Sequence, residues 1–508
     1  MRADERAQLP RYSPIFPSTL SLHTKGHDMR PDPHLPTSDE FWRWSATHLA
    51  RAIRAKEVSA REVLDSCVKR IGEVNPRINA LVDLSFDEAV EAARVADDMV
   101  AAGMSLGPLH GVPTSLKINS DQEGFATSNG VVAFADAIAT DDSPQARLLR
   151  SAGGIFVGRS NAPTFSYRWF TENDLFGRTS NPWDSTRTPG GSSGGAGAAV
   201  ASGMIPIAQG NDIGGSIRYP AYACGVVGLR PTVGRVPGRM VPPDVDDSLS
   251  MQLMAVQGPL ARTVEDVRLA LTAMSSFDPR DPLSLHTVPS PSPARRPRRV
   301  GVLRRNGVST NIQAVDDAVD SAAGWLAAAG YEVEEIELPL LEEAYRLWYL
   351  LCMQDFRPML PLVGQVGDVG LQRIVEHCYT VAEQWWGAEP TLDECLAGWA
   401  RRGTLISQLQ RFLEDYPIVL MPTSAEQAFE WDRDIVTPES MCDLAAIQYS
   451  MMAVPVLGFP ALSVPTGVAD GLPAGVQLLA RRFDESALLD AGALIEANAG
   501  VLTPVDPH

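Results

Sequence analysis

Two glycine-rich turns carry serines that could take part in hydrolysis. The first is GGSSGGAG at residues 190–197, and the second is DIGGSIR at residues 212–218. Glycines just before a serine let the backbone turn sharply and direct consecutive N–H groups into one space. Such donors stabilise the negative charge that develops on a carbonyl oxygen during acyl transfer. Ser216 is therefore a candidate nucleophile, although a buried structural turn would show the same pattern.

The first turn has two other interpretations. Glycine and serine favour flexible turns, and glycine-rich loops also bind phosphate groups. A phosphate loop requires the pattern GxxxxGK[ST], which this segment lacks. The stretch GAGAAV at residues 195–200 also lacks the third small residue of a dinucleotide fingerprint. A structural turn and acyl transfer remain as the two interpretations.

A serine nucleophile needs a base, and the sequence offers Lys117. Of the eight histidines only His110 lies near these turns along the chain, and no GxSxG elbow surrounds Ser216. Lysine can act as a base when burial disfavours its charged form. Lys117 lies in LHGVPTSLKIN, whose apolar residues predict a strand that enters the core. An isolated lysine in a strand more often faces solvent, so Lys117 alone is weak evidence.

Helix caps and hydrophobic periodicity predict the elements around these motifs. Capping boxes of the form S-x-x-E at Ser59 and Ser85 each begin a helix, and Thr263 caps another. From about residue 110 to 237, short apolar runs alternate with turns, which predicts strands joined by functional loops. Residues 312–415 are predicted to be largely helical. Further strands are predicted at 299–303, 418–421, 461–464 and 475–479, before a final helix from residue 486. Interleaved helices and strands predict an α/β fold.

Three segments together resemble the amidase signature family: GVPTSLK, GGSSGG and DIGGSIRYPA. This family includes fatty acid amide hydrolase, bacterial aryl acylamidases and the glutaminase subunit of tRNA-dependent amidotransferase. Ser192 follows Lys117 by 75 positions and Ser216 follows Ser192 by 24, and both spacings agree with the family. The resemblance covers roughly residues 45–500. Three linked motifs at fitting distances form a highly specific signal.

The resemblance implies a Ser–Ser–Lys catalytic set. Ser216 would be the nucleophile, Lys117 the base, and Ser192, on a cis peptide bond, the serine that bridges them. The oxyanion hole would consist of the backbone N–H groups of Ile213, Gly214, Gly215 and Ser216. Supporting roles would fall to Ser193, Asp212 and Arg218, the last two being equally well explained as a structural charge pair. The family mechanism uses no metal and no cofactor.

The resemblance also implies an architecture and a substrate class. It implies an α/β fold with a large mixed β-sheet of about eleven strands flanked by helices on both faces. Residues 38–508 would form a single domain, with a variable helical region at about 312–450 that contributes to the substrate pocket. The pocket would also include Phe165, Ser166, Tyr167 and Thr171. Aromatic residues in the helical region suit an aryl or apolar acyl group, although most such residues serve the core. The expected activity is hydrolysis of small aryl or aliphatic amides and anilides.

Other functions remain open at this point. Ile118, Thr164 and Asn211 depart from the family pattern and leave the subfamily undecided. Carbamate or ester hydrolysis with the same triad is the nearest alternative, because the same attack and the same oxyanion serve all three bonds. The glutaminase subunit of a tRNA-dependent amidotransferase and a catalytically inactive binding protein are further alternatives.

The amino-acid composition argues against some classes of binding partner. The 508 residues carry 62 acidic and 43 basic side chains, a net charge of −19, which argues against nucleic-acid binding and against a polybasic membrane anchor. Six scattered cysteines without a CxxC pair fit a cytoplasmic protein with reduced thiols. The partner that the family resemblance implies is a small-molecule amide, carbamate or ester. Homodimers are frequent among relatives, but the sequence shows no dimer surface.

Two apolar or irregular segments need separate interpretation. Residues 451–468 are the most apolar C-terminal stretch, and three prolines interrupt them, which predicts short strands and turns and no membrane span. Residues 1–37 are rich in proline and show no periodicity, which predicts a flexible N-terminal arm. That arm also lacks the apolar run of a signal peptide.

Overall fold

The computed structural model describes residues 40–239, 245–286, 298–304 and 307–507. Residues Asp39–His508 form one unit. The predicted N-terminal arm at residues 1–37 lies outside the described residues.

An eleven-stranded sheet runs through the described residues. Its order is β1-β3-β2-β4-β6-β5-β10-β11-β9-β7-β8. The strands are β1 Leu81–Leu84, β2 Pro113–Lys117, β3 Ile155–Ser160, β4 Ile207–Asp212, β5 Val227–Arg230, β6 Val256–Ala261, β7 Arg299–Val302, β8 Glu332–Glu335, β9 Ile418–Pro422, β10 Ala461–Ala469 and β11 Leu472–Ala480. The pairs β2/β3, β2/β4, β7/β8 and β7/β9 are parallel. The remaining pairs are antiparallel, so the predicted mixed α/β sheet is confirmed.

Helices surround this sheet. The α-helices are α1 Ala46–Arg54, α2 Ala60–Ile78, α3 Phe86–Ala101, α4 Pro144–Ser151, α5 Gly194–Ala201, α6 Arg218–Cys224, α7 Leu249–Met254, α8 Val264–Met274, α9 Gln313–Ala328, α10 Leu340–Phe356, α11 Leu360–Val366, α12 Val369–Trp386, α13 Leu392–Asp415, α14 Pro438–Ile447, α15 Tyr449–Leu457 and α16 Glu485–Ala499. Short 3₁₀ helices lie at Phe41–Arg43, Val132–Phe134, Thr164–Ser166 and Arg357–Met359.

The alternation of side chains along the strands divides the core into two layers. In β9, Ile418 and Leu420 join one apolar cluster, whereas Val419 and Met421 join the other. Successive residues of a strand point to opposite faces of the sheet, so the two clusters occupy its two faces. The first cluster includes apolar residues of α2, α8, α9 and α16, and the second those of α10, α12 and α15. Both faces are therefore covered by helices.

Only one of the two predicted capping boxes forms. Ser59 accepts a hydrogen bond from the N–H of Glu62, and the Glu62 carboxylate accepts one from the N–H of Ser59. Ser85 begins α3 but makes no side-chain cap. Its hydroxyl donates instead to the carbonyl of Phe156 at 3.1 Å. The predicted box at Ser85 is therefore wrong, because a tertiary contact competes for the same hydroxyl.

Residues 449–457 are helical, which corrects the prediction of short strands and turns. Pro455 lies inside α15 and lacks an N–H for the carbonyl of Met451, four residues earlier. A guanidinium nitrogen of Arg218 donates to that carbonyl at 2.9 Å. The proline is tolerated because a buried arginine replaces the missing donor. The rest of the stretch forms most of β10, as predicted.

Among the described residues, no single helix has both the length and the apolar character to cross a membrane. Helices α14 and α15 meet that criterion only as a pair, with a bend of 63° between them.

Candidate active site

Lys117 ends β2, and its side chain is fully buried. All five residues of the strand are buried, as the apolar sequence predicts. Gln209 fixes this strand end, because its amide oxygen accepts the Lys117 backbone N–H at 3.0 Å. Burial lowers the pKa of Lys117 well below its usual value, although the Asp212 carboxylate acts in the opposite direction. The amine is therefore held towards its neutral form, in which it can accept a proton.

The first glycine-rich turn brings Ser192 to this amine. Nζ of Lys117 lies 2.6 Å from Oγ of Ser192, and the peptide bond between Gly191 and Ser192 is cis. The turn packs tightly, since a Cβ on Gly191 would lie 2.3 Å from the carbonyl oxygen of Arg168. Only glycine fits there. The side chains of Lys117 and Ser192 are therefore in contact, and their catalytic roles stay predictions.

Ser216 lies in the second turn, between β4 and α6, and is 7 % exposed. The backbone joins the two turns, because the N–H of Ser193 donates to the Ser216 carbonyl at 3.2 Å. Within the described part of the chain, the Ser216 hydroxyl makes no hydrogen bond. The Ser193 hydroxyl is buried and also lacks a partner among the described residues.

Asp212 stabilises the second turn from within. Its carboxylate accepts the backbone N–H groups of Gly215 at 3.0 Å and Ile217 at 3.3 Å. Arg218 donates to the same carboxylate at 2.9 and 3.0 Å, and both side chains are fully buried. Burial alone would raise the pKa of Asp212, but Arg218 and Arg230 hold it at about 2. Asp212 and Arg218 thus form a buried charge pair that shapes the turn, and among the described residues Arg218 makes no hydrogen bond to the Ser216 hydroxyl.

One of the four predicted oxyanion donors is already used. The Gly215 N–H points to Asp212, whereas the N–H groups of Ile213, Gly214 and Ser216 have no acceptor within the described residues. Gly215 has φ +93°, and a Cβ there would lie 2.5 Å from Sδ of Met451. The turn therefore requires glycine at this position. Three backbone donors remain available for an oxyanion.

A chain of amides leads away from Lys117, and the sequence does not predict it. The side-chain oxygen of Asn211 accepts from Nζ at 2.8 Å, and its amide nitrogen donates to Asn119 at 2.9 Å. Asn119 in turn donates to the Ser166 hydroxyl at 3.0 Å. In the sequence, Asn211 stands out only as a departure from the family pattern. Its role depends on side chains 94 and 92 positions away, which no local pattern indicates.

The predicted pocket residues take different positions. Phe165 and Ser166 have positive φ, +50° and +58°, and are half-buried, as is Tyr167. Tyr167 contacts the helical region, since its ring lies 4.5 Å from that of Phe356. Thr171 is fully buried, and its hydroxyl donates to the Gly190 carbonyl at 2.8 Å. Thr171 therefore stabilises the first turn, whereas the sequence predicts that it contacts the substrate.

Comparison with known proteins identifies the class to which this site belongs. The family model described as Amidase matches residues 62–489. The chain belongs to the Amidase family. This membership and the amide-hydrolysing class of enzyme confirm the predictions made from the three motifs.

Individual relatives agree with this family. The chain is 40 % identical to indoleacetamide hydrolase of Bradyrhizobium diazoefficiens, over 91 % of this chain and 87 % of that protein. It is 34 % identical to the A subunit of glutamyl-tRNA(Gln) amidotransferase from Moorella thermoacetica, over 90 % of this chain and 97 % of that protein. The structure of a bacterial aryl acylamidase of the amidase signature family superposes with a TM-score of 0.78 at 28 % identity, covering 91 % of this chain and 97 % of that one.

Among the described residues, no group of three or more His, Cys, Asp or Glu side chains is arranged to bind a metal ion.

Proposed function

We propose that this protein hydrolyses arylalkyl and aryl carboxylic amides through an acyl-enzyme on Ser216. The observation that carries the proposal is the buried amine of Lys117, 2.6 Å from the Ser192 hydroxyl and held towards its neutral form by burial. A neutral amine next to a hydroxyl is a proton acceptor, which is what serine activation requires.

In the proposed mechanism, protons move along the two serines. Lys117 takes a proton from Ser192, which takes one from Ser216 as the Ser216 oxygen bonds to the amide carbon. The N–H groups of Gly214 and Ser216, with that of Ile213, stabilise the tetrahedral oxyanion. Ser192 then protonates the leaving nitrogen as the C–N bond breaks, because an unprotonated amine anion leaves poorly, and Lys117 returns its proton to Ser192. Water repeats the sequence on the acyl-enzyme and releases the acid.

The substrate class is supported by the surroundings of the turn. A side chain at Gly214 would meet the Trp348 ring at 3.6 Å, so this indole lines the space beside the turn. Tyr167 and Phe356 pack on each other and against the second apolar cluster, to which Trp348 belongs. Flat apolar surfaces of this kind favour an aromatic acyl group. The 40 % identity to an indoleacetamide hydrolase agrees with this choice.

A glutaminase subunit is the second candidate, because the chain is 34 % identical to the A subunit of an amidotransferase. Glutamine carries an ammonium and a carboxylate that need charged partners when bound. The buried charges next to the two turns are already engaged: Asp212 binds Arg218, and Arg168 binds Asp434 at 2.7 Å. This arrangement favours an uncharged amide over glutamine.

A substrate panel tests the proposed function. The purified protein is assayed with indole-3-acetamide, phenylacetamide, 4-nitroacetanilide, a phenyl carbamate, 4-nitrophenyl acetate and glutamine. We expect the highest kcat/KM for the two arylacetamides, with glutamine at least roughly 100-fold lower, because burying its charges without partners is costly. Preference for glutamine would favour the subunit function, and preference for the carbamate or ester would reassign the natural bond.

Asn211 gives a prediction about pH. In Asn211→Asp a carboxylate replaces the amide oxygen 2.8 Å from Nζ, and its negative charge favours the ammonium form of Lys117. The pKa of Lys117 rises, so the acidic limb of kcat/KM moves to higher pH and activity at pH 7 falls roughly tenfold or more. Asn211→Thr is the matched neutral control, and its kcat/KM should change with pH as in the original protein. If the acidic side of the kcat/KM–pH profile were the same in all three proteins, Lys117 would not be the base of the proton relay.

A further inference from the structure

Trp348 reaches the second turn from the helical region. It lies on α10, and its indole N–H donates to the carbonyl oxygen of Ile213 at 2.8 Å. Ile213 precedes Ser216 by three residues. A second indole, that of Trp169, donates to the next carbonyl of the turn, Gly214, also at 2.8 Å. Two tryptophans from separate parts of the chain therefore hold two successive peptide groups.

Holding a carbonyl also fixes the N–H on the other side of the same peptide group. In a trans peptide the C=O of one residue and the N–H of the next point in opposite directions. The Gly214–Gly215 peptide illustrates this rule, because Trp169 binds its carbonyl and its N–H donates to Asp212 at 3.0 Å. In the Ile213–Gly214 peptide, Trp348 binds the carbonyl, and the N–H belongs to Gly214, for which the described residues provide no acceptor.

Glycine makes such a restraint necessary. Gly214 and Gly215 follow one another, and glycine populates several backbone conformations with similar ease, so a peptide group beside them rotates readily unless something holds it. A Cβ on Gly214 would meet only Sδ of Met452 at 3.4 Å and the Trp348 ring at 3.6 Å, both at ordinary contact distances. Among the described residues, the Trp348 hydrogen bond is the directional restraint on this peptide group.

We propose that Trp348 is a positioning residue, whose indole N–H holds the Ile213–Gly214 peptide so that the Gly214 N–H faces the oxyanion. This inference rests on the proposed function, because it needs a tetrahedral oxyanion beside Ser216. The competing explanation is that a buried indole simply satisfies its own N–H on the nearest carbonyl. In that case the hydrogen bond contributes to folding and leaves the transition state unchanged.

Trp348→Phe removes the donor and keeps an aromatic ring. We expect kcat on phenylacetamide to fall roughly 10- to 100-fold, since a lost oxyanion donor costs up to about 10³-fold and a misaligned one less. KM should change much less than kcat, because the donor acts on the transition state, whereas the smaller phenyl ring removes only part of the apolar contact with the acyl group. Trp386→Phe is the matched control. The Trp386 indole donates to the Arg346 carbonyl at 2.9 Å, which lies on α10 like Trp348 but away from the turn, and that variant should keep the original kcat.

Inhibition gives a readout that a purely structural role would not move. Benzyl trifluoromethyl ketone forms a tetrahedral adduct with a serine nucleophile, and its Ki should rise in Trp348→Phe by the same factor as kcat/KM falls. Benzothienylalanine at position 348 replaces the N–H by sulfur with almost no change in shape. It should reproduce both effects and resolves the test if the phenylalanine variant fails to fold.

The outcomes separate the two proposals. Equal kcat and equal Ki for the position-348 and position-386 variants, in a protein whose turnover still depends on Ser216, would overturn the role of Trp348 alone. Turnover that persists in Ser216→Ala would instead overturn the proposed function on which it rests.

Discussion

Ser216→Ala is expected to lower kcat on arylacetamides by roughly 10⁴- to 10⁶-fold and to leave the protein folded. The hydroxyl is the proposed attacking group, and alanine supplies no oxygen to bond to the amide carbon. The fold should tolerate the change, because the contact that joins the two turns uses the Ser216 carbonyl, which alanine retains. The measurement combines steady-state kinetics with thermal unfolding and with mass spectrometry after treatment with a fluorophosphonate probe.

The matched control is Ser202→Ala. Ser202 is also buried, and its hydroxyl donates to the Ala198 carbonyl at 2.6 Å, at the end of the helix that follows the first turn. This variant should keep turnover within about twofold, because its hydrogen bond is local to α5. In the original protein the probe should add its mass to the peptide that contains Ser216. Probe attachment at a different serine, or turnover of Ser216→Ala near that of the control, would contradict the proposed nucleophile.

The sequence predicts those features of the site that depend on neighbours along the chain. Apolar residues around Lys117 indicate a buried strand, and β2 is buried throughout. The glycines before Ser216 indicate a sharp turn, and Gly215 has the positive φ that such a turn requires. The resemblance then pairs Lys117 with Ser192, which the distance of 2.6 Å agrees with.

Features that depend on distant side chains escape prediction. Trp348 resembles the other aromatic residues of the helical region, because nothing in its neighbourhood indicates that its indole reaches a carbonyl 135 positions earlier. Ser85 and Pro455 show the same limit. The sequence around Ser85 predicts a capping box, and Pro455 predicts the end of a helix. In both cases a hydrogen bond to a distant part of the chain changes the outcome.

Gly215 shows where the family pattern and the local geometry differ. The resemblance assigns four backbone donors to the oxyanion hole, but the Gly215 N–H binds the Asp212 carboxylate. A carboxylate held at low pKa by two arginines competes strongly for this donor. We therefore assign Gly215 N–H to the stability of the turn and the remaining three N–H groups to the proposed oxyanion.

Lys117→Met is expected to lower kcat/KM by on the order of 10²- to 10⁴-fold, the range supplied by a positioned base. Methionine fills most of the space of the buried aliphatic chain but cannot accept a proton. In the original protein kcat/KM should rise with pH as the Lys117 amine loses its proton and should level off well below pH 10.5, since burial lowers its pKa. The variant should lose this acidic limb. Lys69→Met, on the exposed face of α2, is the control and should keep it.

The same pKa shift makes a separate prediction about stability. At any pH between the lowered pKa of Lys117 in the folded protein and its usual value near 10.5, the unfolded chain binds a proton at this amine that the folded chain does not. Folding stability from this group therefore rises with pH across that window. Lys117→Met removes the contribution, so the unfolding free energy of the original protein, relative to the variant, should increase from pH 7 to pH 9 in urea titrations. A difference that shrinks with rising pH would mean that Lys117 is charged in the folded protein, and a charged amine cannot take the proton of Ser192.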